Sequence, residues 1–244
     1  MKQFSDSVSE HLARRQVWEQ KYAIRACYGG WYERLKPYIV TGTSLEVGAG
    51  TGNFKSFWPE LIVSDLIETP YVDLVADGTM LPLAAGSLSN LVVIDLLHHL
   101  HDPHKFFDEA ARVLKPGGRI LIIEPYITLL SYVCYFAVHH EDICFSEYGK
   151  SSTKEDPWEG NLAMMNLLFD RQKGRWNRRH PSFHIITRQP FGLLDFQLAG
   201  GFKPYAVVGW PALYDLALKL DRALEWLAPL CAFRMFCVIE NRAD

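Results

Sequence analysis

Short runs of branched apolar residues, separated by stretches where apolar residues recur every third or fourth position, organise the chain from about residue 44 onward. The runs LEV (45–47), LIVSD (61–65), VDLV (72–75), NLVVID (90–95) and RILIIE (119–124) read as strands. They lack clean apolar–polar alternation, as expected of parallel strands covered on both faces. Between the last two, HKFFDEAARVL (104–114) sets Phe107, Ala110, Ala111 and Leu114 at helical spacing, and Lys115-Pro116-Gly117-Gly118 stops that helix. A helical lead-in over roughly 8–36 carries Val17, Tyr22, Ile24, Tyr28, Trp31 and Leu35 on recurring faces, which suits core packing. Further on, PFGLLDFQLAGGF (190–202) predicts a helix ended by Gly200 and Gly201, and YAVVG (205–209) a strand. LYDLALKLDRALEWL (213–227) then predicts a helical crossover into a final strand, FRMFCVIEN (233–241). Strands alternating with helices predict an α/β fold with one domain spanning residues 1–244.

The turn after the first strand carries the most chemistry. In LEVGAGTGNF (45–54), Gly48, Gly50 and Gly52 stand at alternate positions, so bare backbone can adopt positive φ and touch a flat polar ligand. The spacing differs from the dinucleotide fingerprint G-x-G-x-x-G, whose last glycine is replaced here by Asn53. Glu46 adds a carboxylate before the turn, which repels a phosphate and attracts a cationic amine. Asp65 ends the second strand, where a carboxylate suits a ribose diol because it accepts both hydroxyl protons.

With LEVGAGTG, the acidic strand end at Asp65, VADGTMLPL, VVIDLLHHLHDP and LKPGGRILIIEP in order, residues 43–125 resemble a class I S-adenosylmethionine-dependent methyltransferase of the small-molecule type. The resemblance implies a Rossmann-like doubly wound, mostly parallel seven-stranded sheet in the order 3-2-1-4-5-7-6, and S-adenosyl-L-methionine as cofactor. It further implies that Glu46 and the glycine turn meet the methionine part, that Asp65 holds the ribose hydroxyls, and that the lead-in over roughly 8–36 covers the cofactor, with core packing the favoured role for that segment. Asp77 with Gly78 would bond the adenine amine, Met80 would pack on the ring, and Asp95 would border the cofactor. Two departures from a minimal member stand out. The segment between Gly52 and Leu61 leaves room for a first helix of little more than two turns, and residues 126–190 form an insertion after strand five, expected to be an acceptor lid.

Composition narrows the partners. The net charge of −3 argues against a duplex-binding footprint, which needs clustered Lys and Arg. The densest basic run, RQKGRWNRRH (171–180), is either a solvated loop or a grip on an anionic substrate group. Cys27, Cys134, Cys144, Cys231 and Cys237 are odd in number without a C-x-x-C pair, and read as reduced thiols. Together with an N-terminus that has no apolar h-region, they predict a cytoplasmic protein. YITLLSYVCYFAV (126–138) falls short of the roughly 20 residues that cross a bilayer, so a buried lid helix is favoured over peripheral membrane contact.

Methyl transfer to a hydroxyl needs a base. Asp95, His98, His99 and His101 follow strand four at the carboxyl edge of the sheet, and the D-x-x-H-H pattern is similar in position to the E-x-x-E-H of ubiquinone-pathway O-methyltransferases. His98 replaces the second glutamate there, so no metal is expected. His98 is one candidate base, and His139 or His140 of the HHED run (139–142) is the other. The leading expectation is O-methylation of a small apolar or amphiphilic acceptor. An N- or C-methyltransferase needing no strong base, and a cofactor-binding partner subunit without turnover, are the alternatives.

Overall fold

Alternate residues of the central strands feed two different apolar layers, which is why these strands are mostly apolar on both faces. In the computed structural model, which describes residues 2–138, 142–148 and 160–242, the sheet has seven strands in the order β3-β2-β1-β4-β5-β7-β6. The strands are β1 (Ser44–Val47), β2 (Ile62–Asp65), β3 (Leu74–Val75), β4 (Leu88–Ile94), β5 (Leu114–Pro125), β6 (Phe183–Phe191) and β7 (Arg234–Asn241). β1 to β5 pair in parallel, with Glu46 opposite Val63 on one side and Val92 on the other, whereas β7 runs antiparallel to both β5 and β6. Leu91, Val93, Ile120, Ile122, Met235 and Cys237 point into one layer, and Val92, Ile94, Leu121, Ile123, Phe236 and Val238 into the other.

The first layer is closed by α3 (Pro103–Val113), which Asp102 caps by accepting from the His104 N–H and which buries Phe106, Phe107, Ala110 and Val113. Part of the expected lid joins α3 in this layer. α5 (Met164–Asn166), the π turn Leu167–Arg171 and α6 (Lys173–Arg179) bury Met164, Met165, Leu168, Phe169 and Trp176 against it. Each such side chain contributes roughly 1.5–3 kcal/mol, so this stretch is core. The basic run fastens the same segment: Arg179 meets Asp108 at 2.9 Å, and His180 Nε2 lies 2.9 Å from His104 Nδ1. His104 Nε2 in turn lies 3.0 Å from the Tyr148 hydroxyl, which donates to Gln172 at 2.5 Å.

The second layer is closed by α2 (Tyr22–Leu35), α7 (Asp195–Ala199) and α8 (Pro211–Ala223), with the Trp31 indole donating to Asp195 at 2.9 Å. The lead-in is therefore two helices, α1 (Lys2–Gln20) and α2, broken at Lys21. Its ammonium donates to the carbonyls of Gly201, Lys203 and Tyr205, tying the break to the loop before α8.

Three expectations change. YAVVG (205–209) forms no strand, and Tyr205 and Val207 are exposed. The strand that fills the edge beside β7 is β6, whose Pro190 and Ile185/Thr187 bulge suit an edge position. Consequently the insertion proper ends before Phe183 rather than at 190. Finally, the short first helix is reduced to a 3-10 turn, Asn53–Ser56. α4 (Leu129–Val138) and α9 (Ala228–Cys231) complete the described helices, and none of these is long and apolar enough to cross a membrane.

Candidate cofactor and acceptor site

All three turn glycines have positive φ: 69° at Gly48, 56° at Gly50 and 63° at Gly52. A Cβ at Gly48 would stand 2.7 Å from Leu96 Cδ1, and one at Gly52 2.7 Å from the Tyr71 carbonyl oxygen. Around Gly50 nothing lies within 4 Å of that position, so the middle of the turn is an open cradle. Asp65 holds the cradle's shape, because Oδ2 accepts the Gly50 N–H at 2.8 Å and Oδ1 the Ile67 N–H at 2.9 Å.

Glu46 is 4% exposed, and its Oε2 has no hydrogen-bond partner. Burial, with the Asp65 charge adding to it, pushes its pKa from the ordinary 4.5 to about 8. A buried carboxyl oxygen without a partner beside an open glycine turn fits the cationic end of S-adenosylmethionine. On the adenine side, Asp77 is exposed and its Oδ1 accepts both the Thr79 N–H and hydroxyl at 2.8 Å, while Met80 stands 76% exposed. Gly78 is buried because a Cβ there would meet Val47 Cγ1 at 2.6 Å.

α1 lies over the cradle, in the position that the resemblance implies for the lead-in. His11 is buried with Asp65 and the Gly50 backbone beside it, and this burial pushes its pKa down against the raising effect of Asp65. Arg15 donates to the Thr51 carbonyl at 3.3 Å and lies 4.6 Å over the Tyr71 ring.

The turn after β4 brings the acceptor-side candidates together. Leu96 touches the glycine turn, and His98, 5% exposed, follows on a 3-10 turn, Leu97–His99. Its Nδ1 lies 2.6 Å from Oε2 of Glu124, a wholly buried residue at the end of β5. The His99 ring centroid lies 4.0 Å from that of His98, the planes tilted by 39°, while His101 is exposed. Asp95 is in the left-handed region at φ 52°, pairs with Arg234 and keeps part of its side chain exposed. Arg234 is itself 4% exposed and lies 4.9 Å from the Trp31 ring and 4.5 Å from that of Phe196. Asp95, His98 and Glu124 offer atoms within 4.8 Å of one another. Asp95 is matched by Arg234, and the Glu124 oxygens accept from two backbone N–H groups and face the imidazole.

The insertion reaches this turn through Asn161, whose N–H donates to the His98 carbonyl at 2.7 Å. The Asn161 side chain also bonds backbone of Cys144, Glu147 and Tyr148. His139, His140 and Glu141 lie outside the described residues. Sequence reasoning missed His11, Arg15, Glu124, Asn161 and Arg234; for Glu124 its place at a strand's carboxyl end was a usable signal.

Comparison with known proteins bears on the domain and the fold. Residues 45–122 match the family described as a methyltransferase domain. An uncharacterized protein of Methanocaldococcus jannaschii is 33% identical over 103 residues, covering 39% of this chain and 50% of the relative. The match thus spans half the relative's length. A possible histamine N-methyltransferase from Thermotoga maritima superposes with a TM-score of 0.58 at 16% identity, covering 98% of both chains. An S-adenosylmethionine-dependent methyltransferase from Archaeoglobus fulgidus gives 0.55 at 14% identity, covering 89% of this chain and 94% of its own. A geranyl diphosphate C-methyltransferase from Streptomyces coelicolor gives 0.54 at 14%, with 88% and 78% covered. At such identities these likenesses establish the fold.

Proposed function

Since the chain carries a class I S-adenosylmethionine-dependent methyltransferase domain, we propose that it methylates the hydroxyl of a small apolar or amphiphilic acceptor. Bound S-adenosylmethionine supplies a methyl carbon already activated by its sulfonium, so the protein's task is alignment and proton removal. In this reading Glu46 takes the cationic end over the Gly48–Gly50–Gly52 turn, and Asp65 takes the ribose hydroxyls. Asp77 and Met80 take the adenine, and His98 removes the acceptor proton.

The observation that carries the reading is the seating of His98: a buried imidazole on a turn that touches the glycine turn through Leu96. A core histidine satisfied by backbone would not need a buried carboxylate at 2.6 Å. The Asn161 bond to the His98 carbonyl supports an acceptor wall built from residues 142–148 and α4, whose Leu129, Val133 and Phe136 are exposed apolar groups. His139 and His140 remain the rival bases from the insertion.

The test is transfer of a labelled methyl from S-adenosylmethionine to a panel of alkylphenols, quinols, alkylamines and prenyl compounds. Label should enter a phenol or quinol, and His98→Gln should lower that turnover by roughly 10²–10⁴-fold with little change in cofactor affinity. Transfer confined to amines or carbon centres, or parental turnover in His98→Gln, would refute the hydroxyl reading.

A further inference from the structure

Glu124 has no exposed surface at the end of β5, yet all its described partners are donors of the turn after β4. Oε1 accepts the N–H groups of Leu96 and Leu97, both at 2.6 Å, and Oε2 lies 2.6 Å from His98 Nδ1. A carboxylate oxygen accepts, so a hydrogen on Nδ1 completes this contact, and a neutral imidazole of that tautomer keeps its lone pair on Nε2. From this geometry we propose that Glu124 is a positioning residue for methyl transfer, fixing His98 in the tautomer whose Nε2 takes the acceptor's proton. The proposal rests on the reading of His98 as base.

The electrostatics of the turn favour Glu124 for this part. Among the described residues, the titratable and charged groups around His98 are His99, Asp95, Arg234 and Glu124. Arg234 neutralises Asp95, while Glu124 lies against Nδ1, where its charge steadies an imidazolium. In the step, the acceptor oxygen bonds the methyl carbon as the sulfur–carbon bond breaks. The sulfonium charge is cancelled, and the acceptor proton sits on Nε2 until solvent removes it.

Glu124→Gln tests the idea with little change of shape. The amide oxygen still accepts from Leu96 and Leu97, while the amide N–H faces Nδ1 and turns His98 to the Nε2–H tautomer. The first readout is nitrogen chemical shifts of the histidine-labelled full chain with S-adenosylhomocysteine and no acceptor. The second is turnover of a long-chain alkylphenol. Expected are an Nδ1–H imidazole in the parent, an Nε2–H imidazole in E124Q, and a kcat lower by roughly 10–100-fold with KM nearly unchanged. Glu124→Asp should restore part of it. An Nε2–H parent, or one tautomer in both proteins, would overturn the proposal while leaving His98 free to act as base; the parent measurement alone suffices should E124Q fail to fold. Unchanged kcat in E124Q beside an inactive His98→Gln would also overturn it. Parental turnover in His98→Gln would remove the base, and this positioning role with it.

Discussion

Glu46 gives the sharpest test of the cofactor site, because burial should make cofactor binding release a proton. Its carboxyl titrates at about 8 in the folded chain against an ordinary 4.5. The folded state therefore holds a proton that the unfolded state has lost in that window, and stability falls as pH rises from 4.5 to about 8. At roughly 1.36 kcal/mol per pH unit the full interval amounts to about 5 kcal/mol, lost entirely only above pH 8. A cation placed against the partnerless Oε2 reverses the preference and favours the carboxylate. At pH 7 binding of S-adenosylmethionine should thus expel nearly one proton, and at pH 9 almost none. Affinity should rise with pH between 6 and 8. Glu46→Gln keeps the shape without the titration: the parent's loss of stability between pH 6.5 and about 8 should be absent, and the variant should be the more stable at pH 9. Its affinity should be lower by the roughly 1.5–3 kcal/mol of a charge-assisted bond. Calorimetry in two buffers of different ionisation enthalpy counts the proton, and urea melts from pH 5 to 9 give the stability. No proton release by the parent at pH 7, or equal release by Glu46→Gln, would refute the reasoning.

Asp65→Ala should lower cofactor affinity at least tenfold and also cost stability, since the Gly50 and Ile67 N–H groups lose their acceptor; calorimetry and denaturant melts separate the two effects. Arg234→Met strands Asp95 in its left-handed conformation and should destabilise by about 3 kcal/mol. Adding Asp95→Asn should recover part of that in a urea-melt double-mutant cycle, and strict additivity would exclude the coupling. Burial pushes His180 down from 6.5 to about 4, so its neutral form contributes stability that is present above pH 6.5 and lost toward pH 4. His180→Phe should flatten that acid limb, read by urea melts at stepped pH. Asn161→Ala keeps the backbone bond to the His98 carbonyl but removes the side-chain bonds that hold residues 144–148, and should speed proteolysis there without unfolding the sheet, read by timed digestion and circular dichroism.

The order of the first five strands, α3 and the glycine turn was legible in the chain because each is set by neighbours in sequence. Strands buried on both faces must be apolar throughout, helices must repeat near every 3.6 residues, and a turn at positive φ selects glycine. Glu46 and Asp65 were legible for a related reason: a carboxylate at the carboxyl end of a parallel strand has few places to face. Tertiary structure decided the rest. β6 was missed because an edge strand with one side of its backbone unpaired tolerates His184, Arg188 and Pro190, so its pattern is weak, while the more apolar YAVVG stayed in a loop. The stretch 162–179 became core because its apolar side chains found the face of β5 and β7, which no local periodicity predicts. Glu124, Arg234 and Asn161 are polar residues whose meaning lies in partners distant along the chain: His98, Asp95 and residues 144–148. A buried polar group must be satisfied, but only folding selects the group that satisfies it.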